Sequence, residues 1–287
     1  HEDITGLMKT FSKGVDAVVS IAEKEDVSPF GKVVFDGNRL IEIKEKSERG
    51  KGFVNAGIYM LSDRIFDAIE RTKKRENGEY YLTDSLMGLK EVAVYKMRKY
   101  WSDIGYPWEI LNATEEKIKG IKRRIEGKLE KASIHGEVII GKGTTVKSGT
   151  YIEGPVMIGS GCEIGPNAYI RGGTVIGNNC KVGNGCEIKN SVIMDRTKVP
   201  HLSYVGDSVI DEDCNLGAGT ITANLRFDRK PVKVLVKGKV EDSNRVKLGA
   251  FIGKGVQTGV NVSINPGMII SPGARIMPGE TVRRNVI

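Results

Sequence analysis

From Ile134 onward an aliphatic residue returns at every sixth position, through Ile140, Val146, Ile152, Ile158, Ile164, Ile170, Ile176, Val182 and Ile188. Four residues after each member stands a small or β-branched residue, the run Val138, Thr144, Thr150, Val156, Cys162, Ala168, Thr174, Cys180, Cys186 and Val192. This period matches neither a helix nor an alternating strand. It predicts short strands joined by turns, three to a coil, stacked as a parallel β-helix whose aliphatic column fills the interior. The rule lapses after Ile188 and resumes in a new register with Ile210 and Leu216, then with Val246, Ile252, Ile264, Ile270, Ile276 and Val282, Thr258 filling one place. The stretch Lys198 to Asp207 breaks the hexad and is expected to project from the coil.

Residues 1–112 read as mixed α/β. Strand-like runs at 16–21, 32–35 and 92–97 alternate with a helix-like run at 62–73, for which Ser62 is the expected N-cap and Ile65, Phe66 and Ile69 the apolar stripe. A longer helix is predicted from Pro107, a tolerated first-turn position, through Ile110, Leu111, Thr114, Ile118, Ile121 and Ile125. Residues 113–131 are taken as a helical connector and 132–287 as the β-helix domain. The charged run Lys117 to Lys131 is a solvated face.

Composition agrees with many tight turns: 36 glycines stand against 9 prolines and 6% aromatics, and 39% hydrophobic residues suffice for a core in each of two domains. No apolar run approaches the roughly 18 to 20 residues of a membrane span. The chain opens on His1 with no signal-peptide pattern, so a fragment boundary and a cytoplasmic location are expected. The formal charge of +8 suits small polyanions; the basic residues are scattered and unaccompanied by aromatic motifs, so no nucleic acid and no membrane partner is expected. All four cysteines fall at the small interior place of the repeat, without metal-ligand spacing, and read as core filler.

One corner of the repeat carries chemistry. The residue after each aliphatic is usually glycine, as at Gly141, Gly159, Gly165, Gly177 and Gly183, yet Arg171 and Lys189 hold that place. Eighteen residues separate them, one full coil, which stacks the two backbones about 4.8 Å apart. Stacked cations repel, so the pair is expected either to hold an anion between its members or to point apart into solvent.

Two resemblances follow from longer runs. Glu45-Lys46, Val54 to Tyr59, Gly78 to Asp84, and Trp101 to Gly105 with Pro107-Trp108 resemble, in order and spacing, the sugar-1-phosphate nucleotidylyltransferases. That resemblance implies the C-terminal part of a Rossmann-like α/β domain, with Gly31, Glu45 and Asn55 on the sugar, Lys46 on its 1-phosphate and Asp103 on a Mg²⁺ ion. The family's glycine-rich triphosphate loop has no counterpart, so the piece is expected to be N-terminally truncated and unable to transfer nucleotides alone.

The run from Pro200-His201-Leu202-Ser203-Tyr204-Val205-Gly206-Asp207 to Asn215-Leu216-Gly217-Ala218-Gly219-Thr220 and Thr222-Ala223-Asn224 closely resembles the acetyltransferase half of bifunctional enzymes that make UDP-N-acetylglucosamine, in their archaeal branch. It implies a left-handed coil, a homotrimer, and acetyl transfer from acetyl-CoA to glucosamine 1-phosphate or its galacto epimer, the full-length enzyme then coupling the sugar 1-phosphate to UTP or dTTP. By the same resemblance His201 is the general base and Glu187 orients it. Arg171 and Lys189 clamp the phosphate, Tyr204, Asn215 and Lys230 contact the sugar substrate, and Ala218, Asn224 and Ala250 contact acetyl-CoA. A histidine, with an ordinary pKa of about 6.5, suits removal of a proton from a hexosamine amine. Two other readings predict no acetyl transfer: a repeat module that only trimerises or regulates a nucleotidylyltransferase, and an assembly scaffold.

Overall fold

A computed structural model describes residues 2–12, 14–44 and 49–287, and the chain divides into two compact units, 1–103 and 104–287. In the first, β1 (Ala17–Lys24) is apolar on both faces and takes the centre. It pairs antiparallel with β4 (Gly52–Leu61) and parallel with β5 (Val92–Lys96). Two further strands, β2 (Lys32–Asp36) and β3 (Arg39–Lys44), close a barrel in the order β1-β4-β2-β3-β5. Ala17, Val19 and Ile21 point into one cluster with Val33, Leu40 and Leu86, while Val18 meets Leu7 of helix α1 (Glu2–Thr10) and Tyr95 on the other side. The helix expected at 62–73 is α2 (Arg64–Arg71), with Asp63 rather than Ser62 at its N-cap. Ile65 and Ala68 are buried, whereas Phe66 and Ile69 are exposed.

A carboxylate anchors the start of β1. Buried Asp16 accepts the N–H groups of Lys90 and Glu91 at 3.1 Å each, and Nη1 of Arg64 at 2.7 Å. The Glu91 N–H holds its carboxyl below the usual range, and Arg64 adds to this, outweighing the burial that pushes it up. A depressed carboxylate gives its full stabilisation above the unfolded value of about 3.9 and loses it as pH falls through the lower folded value. Acid unfolding of the first unit is therefore expected to set in below about pH 4. Trp101 and Trp108 are the two tryptophans, one per unit, so Trp101 fluorescence in a Trp108→Phe background reports the first unit alone. Asp16→Asn should flatten its acid dependence; an unchanged profile would remove Asp16 from that account.

The second unit is a solenoid whose strands pair only in parallel from coil to coil and line three faces. One eight-stranded face runs from Arg124–Ile125 to Ile269–Ile270, another from Ser133–His135 to Thr281–Val282. The third runs from Lys128–Leu129 to Lys198–His201 and continues through Asn215 to Gln257–Thr258 and Arg275–Ile276. Val138, Ile140, Val146, Ile152, Ile158, Ile164, Ile170, Ile176, Val182 and Ile188 form one continuous core, with Cys162, Cys180, Cys186 and Cys214 as free, buried thiols among them. Among the described residues no group of His, Cys, Asp and Glu could hold a metal ion, and no helix is long and apolar enough to cross a membrane.

The phase of the repeat after Ile188 differs from a strict count of six. Ile170 lies over Ile188 at eighteen residues, but Ile188 pairs with Val205 and Ile193 with Ile210 at seventeen. The interior column therefore runs Ile188, Ile193, Val199, Val205, Ile210, Leu216, with five-residue steps at one corner. Consequently Lys198 to Asp207 does not project. Lys198–His201 and Tyr204–Gly206 are strands in register with Lys181–Asn184 and Glu187–Lys189. The true excursion comes later: Val209 and Ile210 pair with Phe251 and Ile252, forty-two residues on, and the extra chain forms a hairpin of Lys233–Val236 and Lys239–Asp242. Val246, expected in the column, lies in this excursion and is 43% exposed.

The helix predicted from Pro107 is α3 (Pro107–Ile118); it stops at Ile118 rather than running on to Ile125, which already stands in a strand, and it belongs wholly to the second unit. Trp108 and Leu111 bury against Val192, Val209, Val234, Leu248 and Phe251. It is a lid on one face of the solenoid rather than a free connector, and the first strand of the coil already begins at Arg124.

Candidate functional site

The corner after Ile170 and Ile188 places Arg171 beside Lys189 in register, as the spacing required. Each cation has its own carboxylate. Arg171 Nη1 lies 2.9 Å from Glu187 Oε1, and Lys189 Nζ lies 2.9 Å from Asp207 Oδ2. Glu187 therefore meets Arg171, not His201. It also stands in register with Tyr204 of the next coil.

Asn224 joins the group: its amide donates to the Tyr204 hydroxyl at 3.0 Å and to Asp207 Oδ2 at 2.5 Å. Burial pushes the Tyr204 phenol up, and the Asp207 charge adds to that, so the hydroxyl keeps its proton. Behind Asp207, Asn190 donates to Asp207 Oδ1 and to Glu115 Oε1 at 2.8 Å each, and Arg245 pairs with Glu115 at 2.6 Å. Burial raises the Glu115 carboxyl, but the donors from Arg245 and Asn190 outweigh it and hold it below the ordinary range.

His201 ends a strand on the neighbouring face, exposed, its ring without a hydrogen bond to another described residue. Directly above it the Gly219 N–H donates to the His201 carbonyl at 3.2 Å, which stacks the Ala218-Gly219 corner on that of His201 and Leu202. Asn215 lies exposed on the same face, bridging Lys198 and Gln257. Lys230 is exposed in the excursion, its N–H bonded to Asp228.

Ala250 does not fit its expected role, since its side chain is fully enclosed in the core and its N–H and C=O bond to Ser208 and Val209. An interior position of the coil points inward and offers no side chain to a coenzyme. Beside Asn224 in sequence, a cavity of about 550 Å³ is lined by Ala223, Phe227, Val232, Lys233, Pro266 and Met268.

In the first unit Gly31, Asn55 and Asp103 line one cleft of about 210 Å³ together with Phe30, Ala56 and Trp101. The Asn55 N–H donates to the Gly31 carbonyl at 3.1 Å, and the Trp101 indole N–H to the Ala56 carbonyl at 2.9 Å. Glu45 and Lys46 lie outside the described residues. Among the described residues Asp103 is the one acidic side chain lining that cleft, and its single carboxylate is within the one or two that Mg²⁺ commonly takes from protein.

Asp207 was missed by sequence reasoning. The available signal was the five-residue corner step, which sets Asp207 over Asn190, both with φ near +48° in the left-handed region that Asp and Asn tolerate.

Comparison with known proteins accounts for both units. The nucleotidyl transferase family profile matches residues 4–120, and that of the GMPPB C-terminal domain matches residues 152–238. The bifunctional protein GlmU of Methanococcus aeolicus is 45% identical over 273 residues, covering 93% of this chain and 66% of that protein. A bifunctional sugar-1-phosphate nucleotidylyltransferase/acetyltransferase of Sulfurisphaera tokodaii is 48% identical over 246 residues, covering 83% and 61%. The bifunctional protein GlmU of Thermotoga petrophila is 31% identical over 305 residues, covering 87% and 68%. The chain thus spans about two thirds of the length of the curated relatives it matches. Identity of this extent, running through the barrel and the solenoid alike, means that the chain belongs to the family of bifunctional GlmU proteins.

Proposed function

We propose that the solenoid transfers the acetyl group of acetyl-CoA to the amine of a hexosamine 1-phosphate. We also propose that in the whole protein the first unit forms part of a site joining a sugar 1-phosphate to UTP or dTTP. The observation that carries the first reading is the Arg171–Lys189 corner, which sets two cations, the Tyr204 hydroxyl and Asn224 on adjacent coils. One phosphate could accept from both cations while the sugar reaches along the coil toward His201.

His201 takes a proton from the amine as its nitrogen attacks the thioester carbon and forms the C–N bond; the C–S bond breaks, and the coenzyme A sulfur leaves with the electron pair and takes that proton from the His201 imidazolium. The cavity past Asn224, apolar along Phe227, Val232 and Met268 and polar at Arg226, Asp228 and Lys233, suits the pantetheine arm. As in its relatives' family, the working form is proposed to be a homotrimer. Where Mg²⁺ serves nucleotidyl transfer, Asp103 would give it one carboxylate.

The test is thiol release from acetyl-CoA, which should depend on glucosamine 1-phosphate or galactosamine 1-phosphate. No release, or equal release without the sugar, would overturn the reading. Removing one charge-assisted phosphate contact is worth about 1.5–3 kcal/mol, so Arg171→Ala and Lys189→Ala should each raise KM for the sugar phosphate by about 10- to 100-fold with a smaller effect on kcat. The two should differ in stability. Arg171→Ala leaves a half-exposed Glu187, whereas Lys189→Ala strips the cation from a carboxylate that is only 3% exposed and should lower the urea midpoint visibly. Unchanged KM in both variants would reject the anion corner.

A further inference from the structure

Three donors converge on one buried carboxylate. Asp207 Oδ2 accepts from Lys189 Nζ and from Asn224 Nδ2, and Asp207 Oδ1 from Asn190 Nδ2. The Asp207 side chain is 3% exposed and that of Lys189 only 18%. An ammonium has three hydrogens, and Asp207 fixes the direction of one, so the other two are aimed as well. The Asn224 amide has two hydrogens, one spent on Asp207 and one on the Tyr204 oxygen. That arrangement leaves the Tyr204 hydroxyl hydrogen and the Asn224 carbonyl oxygen free for a ligand. Asp207 is itself fixed from behind by Asn190, which Glu115 holds in turn, with Arg245 closing the ring.

We propose that Asp207 is a positioning residue of the solenoid site: by holding Lys189 and Asn224 it sets the phosphate contact and, through Asn224, the direction of the Tyr204 hydroxyl. This rests on the acetyltransferase reading above. It also has a sign that a purely electrostatic role would reverse. Asp207 cancels the Lys189 charge, so if neutralisation were all it did, removing its charge would strengthen the pull on a sugar phosphate and lower KM. If it positions, the near-isosteric Asp207→Asn sets an NH2 group either against Lys189 and Asn224 or against the Asn190 amide, loosens the held side chains in both cases, and raises KM.

The experiment measures steady-state acetyl transfer by the full chain with glucosamine 1-phosphate as the varied substrate. Asp207→Asn is expected to raise KM about 10-fold. In a Lys189→Gln background the same change should move KM clearly less than 10-fold, because one of the two contacts that Asp207 directs is already gone and only the route through Asn224 and Tyr204 remains. Where Asp207→Asn alone fails to fold, Asn190→Gly, which withdraws the donor behind Asp207 at a left-handed backbone position that glycine accepts, should raise KM in the same direction, and an unmoved KM there overturns the positioning role equally. An unmoved or lowered KM in Asp207→Asn, or a further 10-fold rise in the Lys189→Gln background, overturns the positioning role. Absence of transfer by the unsubstituted chain overturns the acetyltransferase reading, and the positioning role with it; transfer with an unmoved KM in the variant overturns only the latter.

Discussion

His201→Ala should slow acetyl transfer at pH 7 by about 10²- to 10⁴-fold, the usual worth of a positioned general base. The fold should survive, because the imidazole is exposed at the end of a strand while the neighbouring interior place is held by Val199. Stability of the variant in urea should therefore match that of the unsubstituted chain within about 0.5 kcal/mol. Since the base is needed to take a proton from the hexosamine ammonium, raising the pH supplies more free amine and should restore part of the rate. The variant's kcat should accordingly climb between pH 7 and pH 9 more steeply than that of the unsubstituted chain. A folded variant with near-normal kcat at pH 7 would take His201 out of the reaction and leave the Arg171–Lys189 corner as a binding site only.

Ile188→Ala should cost about 2–5 kcal/mol of unfolding free energy, the range for truncating a fully buried aliphatic. Ile188 has no exposed surface, and its ladder neighbours are Ile170 below and Val205 above, so the cavity would open between two stacked coils. In a solenoid each coil is stabilised by the two it touches, and the loss should be felt on both sides. Urea unfolding followed through Trp108 fluorescence measures it, because that indole packs on the same unit. A cost under about 1 kcal/mol would mean that the coils close over the gap.

The coil itself was legible because a period of six with an inward aliphatic leaves few other architectures, and the stacking of Arg171 on Lys189 followed from that period alone. What escaped was the one-residue contraction at the corners of Asn190 and Asp207. A side chain's direction in a coil depends on phase, so one missing residue made an in-register strand at Lys198–His201 look like a projecting loop. The same slip hid Asp207, whose importance lies in contacts with Lys189 and Asn224 that no linear spacing announces. Glu187 was assigned to His201 by resemblance, yet alternate residues on a strand share a face, and Glu187 sits on the Arg171 face instead. Helix α3 was recognised but drawn one turn or more too long and misplaced, since its apolar stripe does not say which body it covers and Ile125 serves the coil instead.

The excursion between Thr222 and Leu248 has a consequence for how the chain assembles. Every earlier coil closes onto its predecessor across fifteen to eighteen residues, so each step of zipping brings together segments already near one another. At Ile210 and Ile252 the closing span is forty-two. By the logarithmic scaling of loop entropy this single closure costs about 0.8 kcal/mol more than its neighbours. The penalty is small at equilibrium, but it falls at one seam, dividing the growing stack into an early block and a late one. The hairpin and the docked Trp108 helix meet at this seam, so the element that interrupts the repeat also supplies the contacts that fasten its two blocks together.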